Sequence, residues 1–214
     1  MRIITIDGPA GAGKSTVSKR LARLLNYTYL DTGAMYRAVA WAAKNSGISV
    51  EDDIGISELL ENLELDIRDD TIIVNRRDIS SLIRTPEMDR LSSAVSRLPA
   101  VRKYLTEMQK KIGNKGDIVA EGRDMGSVVF PNAEYKFFLT TSPEERARRR
   151  MKQIEEQGEK VSYEAILKQI IERDHADSSR SIAPLKVPED CTVIDSTNLS
   201  VDNVLEKILI KIKK

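Results

Sequence analysis

The sequence predicts an α/β fold, in which a parallel β-sheet is covered by helices and interrupted by insertions. Two features of the 214-residue chain indicate this class. Short β-branched runs alternate with stretches whose apolar residues recur at helical spacing, which is typical of parallel strands joined by helical crossovers. A glycine-rich turn also joins the first run to the first helical stretch. No internal repeat or low-complexity tract is visible, so we expect one interrupted core.

The elements near the start of the chain follow from this pattern. Residues 1–7 form a β-branched run that predicts the first strand, and apolar residues recur at helical spacing from Val17 onward. Residues 27–31 predict a second short strand, followed by a helix whose apolar face begins at Met35. The order is therefore strand, glycine loop, helix, strand, helix.

The middle of the chain departs from the alternation. Residues 54–84 read as a short helix followed by brief strands, with charged turns at Asp69–Asp70 and at Arg76–Arg77, which predicts a small antiparallel insertion. An amphipathic helix is then expected over 99–113, between a proline and a glycine. Residues 118–120 and 135–140 predict further core strands.

The last third of the chain predicts a charged helical hairpin and a final strand and helix. Ser142 is placed as the cap of a helix that contains several arginines and breaks near Gly158, before a second helix. Such a hairpin suits a movable flap. Residues 192–195 predict the last strand, and a closing helix follows a Ser200 cap.

Charge and hydropathy limit the partners that we expect. The chain has 34 lysine and arginine residues against 33 aspartate and glutamate residues, so it has no net field that would hold nucleic acid or an anionic membrane. No leader pattern or membrane-length apolar run is present. We expect a cytoplasmic monomer that binds neither nucleic acid nor membrane.

The glycine-rich turn is a complete phosphate-binding motif, G-x-x-x-x-G-K-[ST], between a predicted strand and a predicted helix. Backbone N–H groups of such a turn point at phosphate oxygens, and the helix N-terminus adds partial positive charge. Lys14 is expected to bridge the outer phosphates of ATP, and the Ser15 hydroxyl to ligate Mg²⁺. The predicted ATP-binding residues are Gly8, Pro9, Ala10, Gly11, Ala12, Gly13, Lys14, Ser15 and Thr16.

This motif alone does not distinguish a kinase from a GTPase-type switch or a motor. Residues 114–117 match the guanine-reading N-K-x-D motif of GTPases, and residues 52–55 match a D-x-x-G motif. In switch proteins these motifs follow hydrophobic strands, whereas Asn114 follows an amphipathic helix and precedes a strand. The sequence therefore favours capped helix ends at these positions.

Several arginines fall beside predicted turns and helix starts, where ligands sit in open α/β sheets. A phosphate ester that accepts a phosphoryl group needs fixed cations, because two polyanions must be brought together. Taken singly, each arginine is more often a surface ion pair. The residues concerned are Arg37, Arg102, Arg123, Arg173 and Arg180.

Three strings give the chain a resemblance to the bacterial cytidylate kinase family of P-loop kinases: L-D-T-G-A-M-Y-R at 30–37, E-G-R-D-M-G-S-V-V-F-P at 121–131, and the segment from Arg173 to Leu185. Together with the P-loop they span nearly the whole chain. The middle string is characteristic of this family among kinases. Thr32 stands where the family has serine and Glu121 where many members have aspartate, and both keep the functional group.

The resemblance implies transfer of the ATP γ-phosphate to CMP or dCMP. It implies a monophosphate site made of Thr32, Arg37, Ser93, Arg102, Arg123, Asp124, Arg173, Asp177 and Arg180. Arg37, Arg123 and Arg180 would hold the phosphate. Ser93 and Asp124 would accept from the cytosine amino group while Arg102 donates to the ring, in agreement with the rule that carboxylates read cytosine N4. Asp177 and Arg173 would address the ribose.

The resemblance also implies a domain plan. The core would comprise 1–34, 104–145 and 164–214, the monophosphate-binding insertion 35–103, and the lid 146–163. Arg146, Arg149 and Arg150 of the lid would act with Lys14 on the transferring phosphoryl group. Two alternatives remain open: a kinase for UMP, AMP or a small metabolite, and a GTPase-type switch.

Overall fold

The computed structural model describes residues 1–68, 71–156, 158 and 160–213. The predicted turn residues Asp69 and Asp70 lie outside the described residues, as do Gln157, Glu159 and Lys214. The chain divides into two compact units, which are taken separately below. The first comprises Met1–Tyr29 and Asp117–Lys214, and the second comprises Leu30–Gly116.

The strands and helices are numbered in chain order. They are β1 Ile3–Asp7, α1 Lys14–Leu25, β2 Thr28–Asp31, α2 Thr32–Asn45, α3 Asp53–Glu61, β3 Leu65–Arg68, β4 Thr71–Val74, β5 Arg77–Asp78, α4 Pro86–Val95, α5 Pro99–Gly113, β6 Ile118–Gly122, β7 Tyr135–Thr140, α6 Pro143–Glu156, α7 Tyr163–Ser179, β8 Thr192–Asp195 and α8 Val201–Ile212. A single π-helical turn, Met125–Val129, follows β6. None of the helices in the described part of the chain is long and apolar enough to span a membrane.

The first unit is built on a five-stranded sheet of order β2-β6-β1-β7-β8. Strand β1 pairs in parallel with β6 and β7, and β7 pairs in parallel with β8. The strands are apolar because helices cover the sheet, and Ile6, Val119 and Leu139 are almost fully buried. Leu21 of α1 and Ile208 of α8 belong to the same core cluster. The predicted parallel α/β class is confirmed.

The second unit holds helices α2 to α5 and an antiparallel sheet of order β3-β4-β5. The predicted antiparallel insertion is thus confirmed. Its second turn was misplaced, because Arg77 lies in β5 and the turn is made by Asn75 and Arg76, whose φ values are 47° and 67°. Helix α4 was not anticipated, because its few buried residues gave a weak periodic signal.

The helical hairpin of the first unit begins and breaks where the sequence predicted. Ser142 Oγ accepts from Glu145 N at 3.2 Å, which caps the start of α6. Gly158 has φ +81°, a conformation that favours glycine. Ser162 then caps α7 by accepting from Ala165 N at 3.1 Å. The movement of this hairpin as a lid stays a prediction.

Candidate active site

The loop between β1 and α1 has the backbone of an anion cradle. Gly8 has φ +147° and Gly13, which precedes α1, has φ +90°. A Cβ on Gly8 would lie 2.0 Å from the carbonyl oxygen of Leu139 on β7, so the chain can turn here only without a side chain. The first N–H groups of a helix have no intrahelical acceptor, so the start of α1, directly after this turn, can donate to phosphate oxygens.

Lys14 is buried in this loop, with 6 % of its surface exposed. Its ammonium donates to the carbonyl oxygen of Pro9 at 2.7 Å. Burial and the positive charge of Arg123 together lower the pKa of Lys14 to about 7, although the carboxylates of Glu121 and Asp7 act in the opposite direction. The site thus holds a poorly solvated amine whose charged form an arriving anion would stabilise.

Ser15, Glu121 and Tyr29 form a hydrogen-bonded group beside Lys14. Ser15 Oγ donates to Glu121 Oε2 at 3.0 Å, and the Tyr29 hydroxyl donates to the other carboxylate oxygen of Glu121. Glu121 is 3 % exposed, whereas Ser15 is exposed. A hydroxyl beside a carboxylate is an oxygen donor set that suits Mg²⁺. The residues present therefore fit the predicted role of Ser15.

Asp7 is a buried carboxylate at the end of β1 that the sequence motifs did not single out. Burial raises its pKa to about 6, while hydrogen bonds from the Gly126 and Met125 amides act in the opposite direction. The two amide nitrogens lie 2.7 and 2.9 Å from its two oxygens. Asp7 thus connects the phosphate loop to the π-helical turn.

The predicted substrate residues of the first unit form two ion pairs. Arg123 Nε donates to Asp177 Oδ2 at 2.8 Å, and Arg180 Nη2 lies 3.7 Å from Asp124 Oδ1. Burial disfavours the charged form of Asp177, but the charge and hydrogen bond of Arg123, with Arg173 and Arg180, outweigh it and lower its pKa. These five residues therefore form one charged cluster within the unit.

Arg146, the first lid arginine, is buried against the phosphate loop. Its Nη1 donates to the carbonyl oxygen of Ala10 at 3.1 Å, and its Nε donates to that of Thr141 at 3.0 Å. Both terminal nitrogens bind the carboxylate of Asp174 on α7, at 3.0 and 2.5 Å. Its stem packs beside Gly11. Arg146 thus connects three parts of the first unit.

The other two lid arginines differ from Arg146 in their surroundings. Arg149 donates to Glu145 at 3.0 Å and to the carbonyl oxygen of Ser196 at 3.0 Å. Arg150 is exposed on α6. Arg146 contacts the phosphate loop directly, through its hydrogen bond to the carbonyl oxygen of Ala10.

Within the second unit, the predicted phosphate ligand Arg37 projects from α2 and is held by two acids. Its Nη2 lies 3.8 Å from Asp31 Oδ2, and its Nη1 lies 3.4 Å from Asp89 Oδ1. Asp31 also caps α2 by accepting from Ala34 N at 2.8 Å. Thr32, the first residue of that helix, is buried. Arg37 and Thr32 are thus positioned by one helix start.

Arg102, predicted to read the base, lies on α5 in the same unit. It is 5 % exposed, and its guanidinium lies 5.9 Å from the ring centre of Tyr36. Its Nη1 also donates to the carbonyl oxygen of Ser96 at 3.4 Å. Ser93 is half-buried on α4, and its carbonyl oxygen accepts from Ser96 Oγ at 2.8 Å. Arg102 and Ser93 are therefore both connected to Ser96.

Sequence reasoning named the basic side chains of the site and the acids Asp124 and Asp177, and it missed four other acidic residues. Because an acidic residue beside a motif looks like any surface charge, only the D-T-G string carried a usable signal. The missed acids are Asp7, Asp31, Asp89 and Asp174.

The two GTPase-like motifs lie at helix ends, as the sequence favoured. Asp52 caps α3 by accepting from Gly55 N at 2.9 Å. Asn114 ends α5, and its amide donates to the carbonyl oxygen of Lys110 at 2.9 Å. Helix capping therefore accounts for both motifs.

Comparison with known proteins agrees with this picture. Two solved structures share the fold. A gluconokinase from Sinorhizobium meliloti aligns with a TM-score of 0.51 and 14 % sequence identity, and the alignment covers 98 % of this chain and 90 % of that one. A shikimate kinase from Bacteroides thetaiotaomicron aligns with a TM-score of 0.50 and 12 % sequence identity, and the alignment covers 100 % of this chain and 99 % of that one. A cytidylate kinase from Carboxydothermus hydrogenoformans is 50 % identical over 210 residues, which cover 96 % of this chain and 95 % of that protein. The model of the family described as cytidylate kinase matches residues 4–214, so the chain belongs to that family.

Proposed function

We propose that this protein transfers the γ-phosphate of ATP to CMP or dCMP, giving ADP and CDP or dCDP. The observation that carries the proposal is the family match over 4–214, which includes the phosphate loop and all the predicted acceptor residues. The geometry within each unit supports it. Within the first unit, Lys14 and the glycine turn offer a site for a polyphosphate, and the charged cluster around Arg123 and Asp177 offers guanidinium groups for a second, smaller anion.

ATP would be held by the loop from Gly8 to Thr16. The loop amides and Lys14 would bind phosphate oxygens, and the Ser15 hydroxyl, supported by Glu121, would hold Mg²⁺. Mg²⁺ would neutralise part of the charge that develops on the phosphates. The burial of Lys14 concentrates its field on the bound anion, since little water screens it.

CMP would be held by the residues that the family resemblance implies. Arg37, Arg123 and Arg180 would bind its phosphate, because guanidinium groups match phosphate oxygens bidentately and stay charged. Asp177 orients Arg123 for this task through the bond at 2.8 Å. Ser93, Arg102 and Asp124 would read the cytosine edge, while Arg173 and Asp177 would address the ribose.

No strong base is needed for this reaction, because the acceptor phosphate oxygen is already ionised at neutral pH. Positioning and charge would therefore supply the catalysis. Arg146, Arg149 and Arg150 would stabilise the transferring phosphoryl group together with Lys14. Closure of the predicted lid over 146–163 would exclude water and protect ATP from hydrolysis.

A panel of monophosphate acceptors tests both the reaction and the role of Asp124 in selecting cytosine over uracil. With ATP and magnesium, CMP and dCMP are expected to be phosphorylated, and UMP roughly tenfold to a hundredfold less efficiently in kcat/KM, because uracil presents a carbonyl to Asp124 at a cost of about 1–3 kcal/mol. Asp124→Asn is expected to bring the CMP and UMP efficiencies close together, since an amide can either accept or donate. The measurement is coupled-assay kinetics with each monophosphate.

The KM for ATP serves as the internal control and is expected to change less than about threefold in Asp124→Asn. Equal efficiency with UMP and CMP in the wild-type protein would contradict the role given to Asp124. Tight retention of guanine nucleotide without phosphorylation of any acceptor would favour the GTPase-type switch instead.

The low pKa of Lys14 predicts that ATP binding takes up a proton. With a pKa of about 7, about nine-tenths of the Lys14 side chains are neutral at pH 8 in the free protein. Phosphate anions favour the charged form and raise that pKa, so binding of pre-formed MgATP at pH 8 is expected to take up nearly one proton per site. Titration calorimetry in buffers of different ionisation enthalpy measures this number.

Lys14→Arg is the matched variant, because a guanidinium stays charged at pH 8 and has no proton to gain. If Lys14→Arg binds MgATP, its proton uptake is expected to fall to near zero. An equal uptake in the two proteins would show that another group titrates and that Lys14 is already charged.

The remaining expectations on cellular context form part of the same proposal. A cytoplasmic monomer that acts on small nucleotides fits the balance of 34 basic and 33 acidic residues. Light scattering at assay concentration tests the monomer.

A further inference from the structure

The buried carboxylate of Asp7 holds the backbone that immediately follows Asp124. Asp7 is 2 % exposed, and its Oδ1 and Oδ2 accept from the amides of Met125 and Gly126 at 2.9 and 2.7 Å. Within the described part of the chain these are the hydrogen bonds that the structure records for its side chain. One carboxylate therefore fixes two successive peptide planes.

The same backbone packs closely against β1 and β7. A Cβ on Gly126 would lie 2.9 Å from Thr5 Oγ1, 3.3 Å from Lys136 Cδ and 3.4 Å from Asp7 Oδ2. The first two distances are shorter than ordinary Cβ contacts, so the absence of a side chain at Gly126 lets the turn lie directly on β1 and β7. Asp7 can reach both amides only because of this approach.

Asp124 is fixed by the same arrangement. Its carbonyl oxygen accepts from Val128 N at 2.9 Å and from Val129 N at 3.2 Å, which closes the π-helical turn. The peptide that follows it is the one whose amide binds Asp7. The peptide on the C-terminal side of Asp124 is thus held through both its carbonyl oxygen and its N–H group, and Asp124 itself is 2 % exposed and pairs with Arg180.

We propose that Asp7 is a positioning residue for base selection, which holds the turn so that the Asp124 carboxylate faces the amino group of the pyrimidine. The inference rests on the proposed function, in which Asp124 reads the base. Asp7 acts through Asp124 and touches neither the base nor the sugar. Its contribution is preorganisation, because an Asp124 carboxylate displaced by about 1 Å from the base would lose much of the energy of a directional hydrogen bond.

The first test is Asp7→Asn, which keeps the shape of the side chain and removes one of its two acceptors. An asparagine can accept from one of the two amides, and its NH₂ group then faces the other donor. The ratio of kcat/KM for CMP to that for UMP is expected to fall at least about fivefold, while KM for ATP stays within about threefold. Val128→Ala, an exposed position in the same turn, is the control and is expected to keep the wild-type ratio.

The second test separates positioning from a general loss of structure. The double variant of Asp7→Asn and Asp124→Asn is expected to have the same CMP to UMP ratio as Asp124→Asn alone, because a residue that acts only through Asp124 has no effect without it. Gly126→Ala is expected to push the same turn away from β1 and β7 and to lower the ratio as Asp7→Asn does. Gly126→Ala also decides the question if Asp7→Asn fails to fold.

The outcomes distinguish this inference from the function on which it rests. A wild-type protein that does not phosphorylate CMP overturns the proposed function itself. A wild-type preference for CMP that survives in Asp7→Asn and in Gly126→Ala overturns only the inference. The inference is also overturned if the double variant lowers the CMP to UMP ratio by the product of the factors measured for Asp7→Asn and Asp124→Asn separately.

Discussion

Arg146→Ala is expected to reduce turnover of CMP by about 10³-fold or more. Arginines that stabilise the transferring phosphoryl group contribute roughly 10³ to 10⁵ in rate in related reactions. The guanidinium of Arg146 lies at the phosphate loop already, 3.1 Å from the Ala10 carbonyl oxygen, and the Asp174 carboxylate orients it. Steady-state and single-turnover kinetics with CMP measure the loss.

Arg148→Ala is the matched control on the same helix. Its side chain is 68 % exposed and pairs with Glu145, so its removal is expected to change turnover by less than about threefold. Arg146→Lys keeps the charge but not the planar fork, so an intermediate loss is expected. A folded Arg146→Ala protein with turnover within tenfold of wild type would rule out a direct role in transfer.

Gly8→Ala is expected to destabilise the first unit by about 3 kcal/mol or more and to abolish ATP binding. A Cβ at this position would lie 2.0 Å from the Leu139 carbonyl oxygen, and φ of +147° is a conformation that L-residues rarely adopt. Overpacking and backbone strain each cost about 1–3 kcal/mol. In a chain of this size the melting temperature is then expected to fall by roughly 6–12 °C.

Gly116→Ala is the control for this substitution, because a Cβ there meets nothing within 4 Å. Its melting temperature is expected to stay within about 2 °C of the wild type. Calorimetry of both variants, with and without MgATP, measures the two effects. If the Gly8→Ala protein has the same melting temperature as the wild type, and MgATP raises that temperature equally in both, the loop tolerates a side chain.

The parts of the structure that the sequence predicted well are those in which local chemistry decides the backbone. The motif at 8–15 and the caps at Ser142 and Ser200 depend on neighbouring residues alone. Burial on both faces of the sheet also makes the parallel strands continuous apolar runs, which are easily recognised.

The parts that the sequence did not predict depend on contacts between distant residues. Helix α4 was missed although Thr85 and Pro86 mark its start, because only Met88, Ser92 and Val95 are buried and the apolar stripe is short. The burial of Arg146 depends on Asp174, 28 positions later in the chain. No local pattern reveals such a pair, since the two residues look like ordinary surface charges.

The pairing of β1 has a consequence for how the protein emerges from the ribosome. Ile3 pairs beside Ile118, and Ile4 beside Tyr135, so the strand that carries the nucleotide loop has both neighbours more than a hundred positions later. The nascent chain therefore exposes an unpaired apolar strand until β7 has been translated. The contiguous segment Leu30–Gly116, whose small sheet is built from sequential strands, is free to become ordered earlier.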